Sequence, residues 1–280
     1  MKYGADIADF DLEDSVPVQC KDTARCEFQR HLADKGSTTV AVRINELASI
    51  EGLRDMLSIL EGESLPDIVI LPKVAIPGDI MLASQLLSKR SNSVRIYVIV
   101  ETVQALCDLR NLSVVPALLG GLMFGAADFA ANRGVPLRKM NLFSEKREIA
   151  IAAARLGISA IDSPCFDIEE EGTLAEELDE ALALGYCGKI AIHPNQVPRI
   201  NAAFSPSGDS IEKAMALIAG ASNQMEEPIV KIDGRMVGPP FVIQAMQEIS
   251  RAGQRGLIPE RYASQVESLG LNSQKVIDEQ

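Results

Sequence analysis

Val98-Ile99-Val100-Glu101-Thr102 runs three β-branched residues straight into an acid. A short run that is apolar at consecutive positions suits a strand buried on both faces, as in a parallel sheet; a strand with one wet face would alternate. Outward from it the same construction recurs. Asp11-Leu12-Glu13-Asp14, Val42-Arg43-Ile44-Asn45, Leu71-Pro72-Lys73, Phe124-Gly125-Ala126-Ala127-Asp128, Ala160-Ile161-Asp162 and Ile190-Ala191-Ile192-His193-Pro194 each close an apolar stretch with polar residues. Strands are expected near 5–10, 38–44, 68–73, 94–100, 120–125, 158–161 and 188–192. If they run parallel and close into a barrel, their C-terminal ends meet at one rim, where a site would lie.

The segments between the strands have helical periodicity. Thr23 to Lys35 puts Phe28 and Leu32 on one face and stops at Gly36; Pro77-Gly78-Asp79 opens a second helix; Asn141–Arg155 and Ile168–Leu184 read the same way. Strand-helix alternation every 25–30 residues or so marks βα units. Residues 1–204 are therefore expected to form a TIM-type (β/α)8 barrel that lacks its first βα unit, since seven strands are found where eight are needed. After His193 the pattern changes to helices near 195–204, 210–227 and 239–253. A turn or short hairpin is expected over Lys231–Pro240. Residues 205–280 thus read as a C-terminal helical arm or lid on what is overall a single structural domain.

Composition narrows the function classes. The 280 residues carry 27 basic and 39 acidic side chains, a net charge of −12, which disfavours a nucleic-acid or anionic-membrane surface. Cys20, Cys26, Cys107, Cys165 and Cys187 show neither a CxxC pair nor zinc spacing and read as reduced thiols. With no leader and no apolar run of membrane-spanning length, a cytoplasmic protein is expected. Gly120-Gly121 and Gly125 match no phosphate-binding loop.

The strand-end residues suggest chemistry, each against a plainer alternative. Glu101 and Asp128 are two acids at neighbouring strand ends, enough for Mg²⁺, which takes one or two carboxylates and fills its octahedron with water and substrate oxygens. The alternative is a salt bridge for Glu101 and a helix cap for Asp128. Alternation sends Asp11 and Glu13 to one face and Asp14 to the other; these acids would orient metal-bound waters or belong to a solvated loop. Arg43 either clamps a substrate carboxylate or pairs with a neighbouring acid. Lys73 invites the same two readings, with a Schiff-base role possible in principle. His193 fits a hydrogen-bonded structural histidine better than a base.

Leu12-Glu13-Asp14-Ser15-Val16, Arg43-Ile44-Asn45, Leu71-Pro72-Lys73, Glu101-Thr102, Phe124–Asp128, Ala160-Ile161-Asp162 and Gly188–Gln196 together resemble the citrate lyase β-subunit family within the HpcH/HpaI aldolase superfamily. The likeness runs from about residue 4 to 250, closest in type to citramalyl-CoA and malyl-CoA lyases. It implies a TIM-type barrel in a homo-oligomer, a trimer or hexamer. It also implies Mg²⁺ on Glu101 and Asp128, the 2-oxo-acid fragment on Arg43 with Lys73 nearby, and Glu13 and Asp14 supporting the metal's waters. The implied reaction splits a 3-hydroxyacyl-CoA thioester into acetyl-CoA and a 2-oxo acid. Citryl cleavage on an acyl-carrier protein, a free 2-oxo-acid aldolase and a catalytically impaired 2-oxo-acid-binding barrel are the alternatives. Two departures stand out. The family's first strand, of the type Arg-Ser-x-Leu-Phe-Val-Pro, has no counterpart, which implies a late start at Met1 or a shortened form. Gly238 stands where these lyases commonly carry a catalytic Asp, for which Asp233 is the nearest substitute.

Overall fold

Seven strands carry the first of two compact units, which ends at Ala203: β1 (Ile7–Asp11), β2 (Thr39–Arg43), β3 (Ile68–Leu71), β4 (Arg95–Val100), β5 (Leu119–Phe124), β6 (Ser159–Asp162) and β7 (Gly188–Lys189). The computed structural model describes residues 3–169, 171–222, 230–232 and 235–270. All seven strands are parallel and lie in sequence order, a curled sheet of the TIM type that lacks one βα unit. Among the described residues β7 does not pair with β1.

Each connection crosses over through a helix: α1 (Lys21–Ala33), α2 (Ile50–Glu61), α3 (Gly78–Ser88), α4 (Val103–Asn111), α5 (Ala126–Asn132) and α6 (Phe143–Leu156), and α7 (Glu171–Leu184), with α8 (Val197–Phe204) following the last strand. The expected helices are present, with described ends that agree to within three residues; residues 223–227 of the one expected near 210–227 lie outside the described residues. The last strand is shorter than expected: the Ile190 N–H still bonds the Asp162 carbonyl at 3.1 Å, but the chain then turns outward.

Register sorts the side chains. Asp11 pairs with Arg43, Ile70 with Tyr97, Ile99 with Met123, and Met123 with Ile161. Strand alternation therefore puts these on the inner face, where Ala41, Ile68, Ile70, Ile99 and Met123 form an apolar cluster below the rim. Val42, Val69, Val98, Val100 and Phe124 face the helices and are buried. Both faces are covered, which is why the strands read as unbroken apolar runs.

α2 shows how tightly a helix can sit on its loop. Its N-cap Ser49 accepts the Gly52 N–H at 2.9 Å, and a Cβ on Gly52 would lie 2.0 Å from the Glu46 carbonyl oxygen and 2.8 Å from that of Asn45. Both obstacles are backbone. Gly52→Ala should destabilise the unit by about 1–3 kcal/mol or more, the usual cost of overpacking, seen as a lower midpoint in thermal melting.

The second unit begins at Phe204. Its helices are α9 (Gly208–Ser222), α10 (Pro239–Gln254) and α11 (Ala263–Ser268). Ile211, Met215, Ile218, Ala245, Ile249 and Val266 make its core. The expected hairpin is β8 (Val230–Ile232) against β9 (Arg235–Val237), antiparallel. Gly238 follows as the extended N-cap of α10, ahead of Pro239 and Pro240; Asp233 lies outside the described residues. Among the described residues no helix is long and apolar enough to cross a membrane.

Candidate active site

Inner-face alternation carries past the strand ends and gathers the predicted residues. Val100 pairs with Phe124, so Glu101 and Gly125 come next to one another at the rim. A Cβ on Gly125 would lie 2.6 Å from Glu101 Cβ, 2.8 Å from Ile99 Cγ2 and 2.9 Å from Glu101 Oε2. The missing side chain is the space that the Glu101 carboxylate occupies. Glu101 is 3% exposed, and its Oε1 accepts the Lys73 backbone N–H at 2.7 Å. Lys73 takes a left-handed backbone (φ 50°) to aim that N–H, a conformation uncommon outside glycine.

Asp128 sits exposed in the first turn of α5, where Gly125 is the N-cap and no side chain caps the helix. The capping alternative for Asp128 is therefore not realised; the neighbouring helix α4 is capped by Thr102, whose Oγ1 accepts the Ala105 N–H at 3.0 Å. Burial, reinforced by the charges of Asp128 and Glu13, pushes Glu101 up to about 7 against the pull of the Lys73 N–H and ammonium. A cation at Glu101 would offset both its burial and the nearby charge of Asp128. Among the described residues no group of three or more His, Cys, Asp or Glu is placed to hold a metal. A carboxylate pair still meets what Mg²⁺ asks of a protein, since water and substrate oxygens supply the rest.

Arg43 meets its register partner. Asp11 takes Nε at 2.8 Å and Nη2 at 2.6 Å in a two-point fork, and Glu13 Oε2 lies 3.0 Å from Nη1. The neighbouring-acid alternative is thus present in the structure. A guanidinium has five N–H donors; two are hydrogen-bonded to Asp11 and Nη1 is ion-paired with Glu13, so the terminal nitrogens keep N–H groups for a ligand. Burial opposes ionisation of Asp11, yet hydrogen bonds from Arg43, Ser15 and Glu13 hold its carboxyl down at about 2.

Glu13 bridges the cluster, with Lys73 Nζ 2.8 Å from its Oε1. Burial raises the Glu13 pKa, against the pull of Lys73 and Arg43. Glu13 in turn holds the Lys73 ammonium protonated well above its ordinary range. A Schiff-base lysine needs the opposite shift, so that role does not fit. Asp14 is exposed and, contrary to simple alternation, stays on the same side, 3.5 Å from Lys73 Nζ. The strand stops at Asp11, whose carboxylate accepts the Glu13 and Ser15 N–H groups and folds the chain into a turn.

Asp162 goes elsewhere. Its register partner is Lys189 and both face the helices, where Lys189 Nζ lies 2.6 Å from Asp162 Oδ2 and 2.7 Å from Glu177. His193 caps the turn Pro194–Gln196: its Nδ1 accepts the Asn195 N–H at 3.2 Å, and Gln196 Oε1 accepts the His193 N–H at 3.3 Å. Sequence reasoning does not reach Lys21, Asp55 and Arg25, which with the strand-end Asn45 form a buried polar chain behind the Glu13 turn. Their signal was a lysine and an arginine on the inward face of α1.

Comparison with known proteins gives the family. Mitochondrial citramalyl-CoA lyase of Rattus norvegicus is 30% identical over 267 residues, covering 88% of this chain and 79% of its own. The solved structure of RipC from Yersinia pestis has a TM-score of 0.67 at 35% identity, covering 74% of this chain and 93% of that one. CitE from Mycobacterium tuberculosis in complex with magnesium and pyruvate has a TM-score of 0.57 at 26% identity, covering 71% and 80%. The family model for HpcH/HpaI aldolase/citrate lyase matches residues 1–194. With seven parallel strands and the carboxylate rim inside that match, this chain belongs to the HpcH/HpaI aldolase/citrate lyase family of carbon–carbon lyases.

Proposed function

We propose that the chain is a Mg²⁺-dependent lyase that splits a 3-hydroxyacyl-CoA thioester of the citramalyl-CoA type into acetyl-CoA and a 2-oxo acid such as pyruvate. The observation that carries the reading is the Glu101–Asp128 pair: Glu101 is a buried acid, fixed at one oxygen by the Lys73 N–H, and the charge of Asp128 adds to the burial that opposes Glu101's ionisation. The substrate class is supported by the citramalyl-CoA lyase relative, and the metal by the magnesium and pyruvate bound to CitE.

Glu101 and Asp128 would hold the cation, which when bound supplies a Lewis acid for the oxygens of the 2-oxo-acid fragment. Arg43 offers that fragment's carboxylate the N–H groups of its terminal nitrogens that Asp11 leaves open. Asp11 and Glu13 fix the guanidinium plane, so little reorganisation is needed as charge grows on oxygen. Lys73, kept cationic by Glu13, adds positive potential at the same rim. In the cleavage the C3 hydroxyl loses its proton and becomes the carbonyl of the 2-oxo acid. The C2–C3 pair passes to the thioester enolate, which takes up a proton to give acetyl-CoA. Assembly as a trimer or hexamer belongs to the same reading.

Glu101→Gln and Asp128→Asn should each weaken Mg²⁺ binding by more than about tenfold, or roughly 1.4 kcal/mol, in calorimetric titration. If both bind Mg²⁺ as the wild type does, the metal site lies elsewhere. The raised Glu101 pKa sets a pH dependence. Lifted from 4.5 to about 7, Glu101 favours the metal-free fold in its protonated form, and this contribution fades as pH rises through 7. Mg²⁺ needs the ionised form. Its affinity should therefore fall as pH drops below about 7, by up to about tenfold per unit, with proton release on binding, and should level off above 7. Titrations in two buffers of different ionisation enthalpy count the proton. A flat affinity between pH 5 and 7 would contradict the assignment.

A further inference from the structure

Lys21, in the first turn of α1, points inward and is 6% exposed. Its ammonium donates to the backbone carbonyls of Leu12 and Glu13 and to Asn45 Oδ1, each at 2.7 Å. An ammonium has three N–H donors, so every one is used. Among the described residues no carboxylate lies within ion-pair distance of it. Two of the three acceptors are backbone atoms of the turn that carries Glu13.

The grip extends behind the turn. Asn45 Nδ2 donates to the Leu12 carbonyl at 2.8 Å and to Asp55 at 2.6 Å, and Arg25 reaches the other oxygen of Asp55 at 2.6 Å. On its near side the turn is bound to the rim: the Glu13 and Ser15 N–H groups bond Asp11, the Leu12 N–H bonds the Arg43 carbonyl, and the Val16 N–H bonds the Glu13 carbonyl. Burying an ammonium against neutral acceptors carries a cation's desolvation cost without an ion pair to offset it. What the ammonium supplies is placement of two carbonyls.

We propose that Lys21 is a positioning residue: by clamping the Leu12 and Glu13 carbonyls it holds the Glu13 carboxylate between Arg43 and Lys73. The geometry stands by itself; the consequence for turnover rests on the lyase reading above. Without Lys21, three buried acceptors lose a donor, the turn relaxes, and Glu13 no longer aligns the two cations.

Two readouts on the full chain test this, with Lys21→Met, Glu13→Gln and the double variant. In hydrogen exchange, the amides of residues 12–16 should lose roughly tenfold or more of their protection in Lys21→Met while those of α6 keep theirs, as expected for a local opening. In turnover of (3S)-citramalyl-CoA at saturating Mg²⁺, Lys21→Met should lower kcat by about 10–100-fold. It should lower it no further in the Glu13→Gln background, because both act through one carboxylate. A purely structural lysine would give effects that multiply. Unchanged protection at 12–16, or multiplying effects on kcat, would overturn the proposal. Should Lys21→Met not fold, Lys21→Gln, which keeps two donors, is read in the same way with a smaller change of the same sign. If the wild type itself releases no pyruvate, the lyase reading fails and the exchange readout still decides the role of Lys21.

Discussion

Gly125→Ala should abolish measurable Mg²⁺ binding in a chain that still folds. The added methyl would stand 2.6 Å from Glu101 Cβ and 2.9 Å from Glu101 Oε2, well inside van der Waals contact. Gly125 takes an ordinary negative φ (−92°), so the substitution acts through contact and not through backbone strain. The strand cannot yield easily, because the Gly125 N–H bonds the Val100 carbonyl at 3.1 Å. The carboxylate must therefore swing, breaking its 2.7 Å bond to the Lys73 N–H and losing its place beside Asp128. Overpacking of this kind costs about 1–3 kcal/mol, and a metal ligand displaced from its site costs affinity on top of that. Calorimetry on Gly125→Ala should give no Mg²⁺ heat under conditions where the wild type saturates, with a far-ultraviolet circular dichroism spectrum like the wild type's. Undiminished Mg²⁺ binding would mean that Glu101 is not a ligand.

The second large effect lies on the opposite face of the sheet and concerns stability alone. Asp162 and Lys189 are both fully buried, and Asp162 also faces Lys146, whose Nζ is 3.3 Å from Oδ1. Glu177 and Glu180 supply the outer partners of the two lysines at 2.7 and 3.0 Å. Asp162→Ala leaves two buried ammonium groups sharing two partly exposed acids. Breaking such a buried pair typically costs about 3–5 kcal/mol. For a unit of this size that is a drop in melting temperature of roughly 6–20 °C. Arg138→Ala is the contrast: its pair with Asp167 is 3.2 Å long and largely solvent-exposed, so the melting temperature should barely move. Equal melting temperatures for wild type and Asp162→Ala would show that the network carries no net stability.

These two variants mark what the sequence made legible. The strands could be read because each is covered on both faces, which leaves an unbroken apolar run such as Ile68–Leu71. The polar residue ending each run then pointed to the rim. Glu101 and Asp128 fell out of that rule because β4 and β5 are neighbours in both sequence and sheet. The rule misjudged Asp162, because polar strand ends alternate between the rim and the helix side, and only register separates them. It also stopped short where backbone conformation decides: the left-handed turn at Lys73 and the tight turn after Asp11 place Glu13, and no spacing announces either. Helix α2 hid behind its own composition, since Ile50, Leu53 and Leu57 are exposed and Gly52 sits in its first turn. Lys21 lies outside the helix expected over Thr23–Lys35, and only the fold brings three carbonyl-type oxygens to its ammonium.

The most direct test of the account is pyruvate release from (3S)-citramalyl-CoA by the full chain, assayed with Mg²⁺ and with EDTA. Stoichiometric pyruvate and acetyl-CoA with Mg²⁺, abolished by EDTA and by Glu101→Gln, is the predicted result. Release that persists in EDTA, or in Glu101→Gln at the wild-type rate, would contradict a metal-dependent lyase built on the Glu101–Asp128 pair.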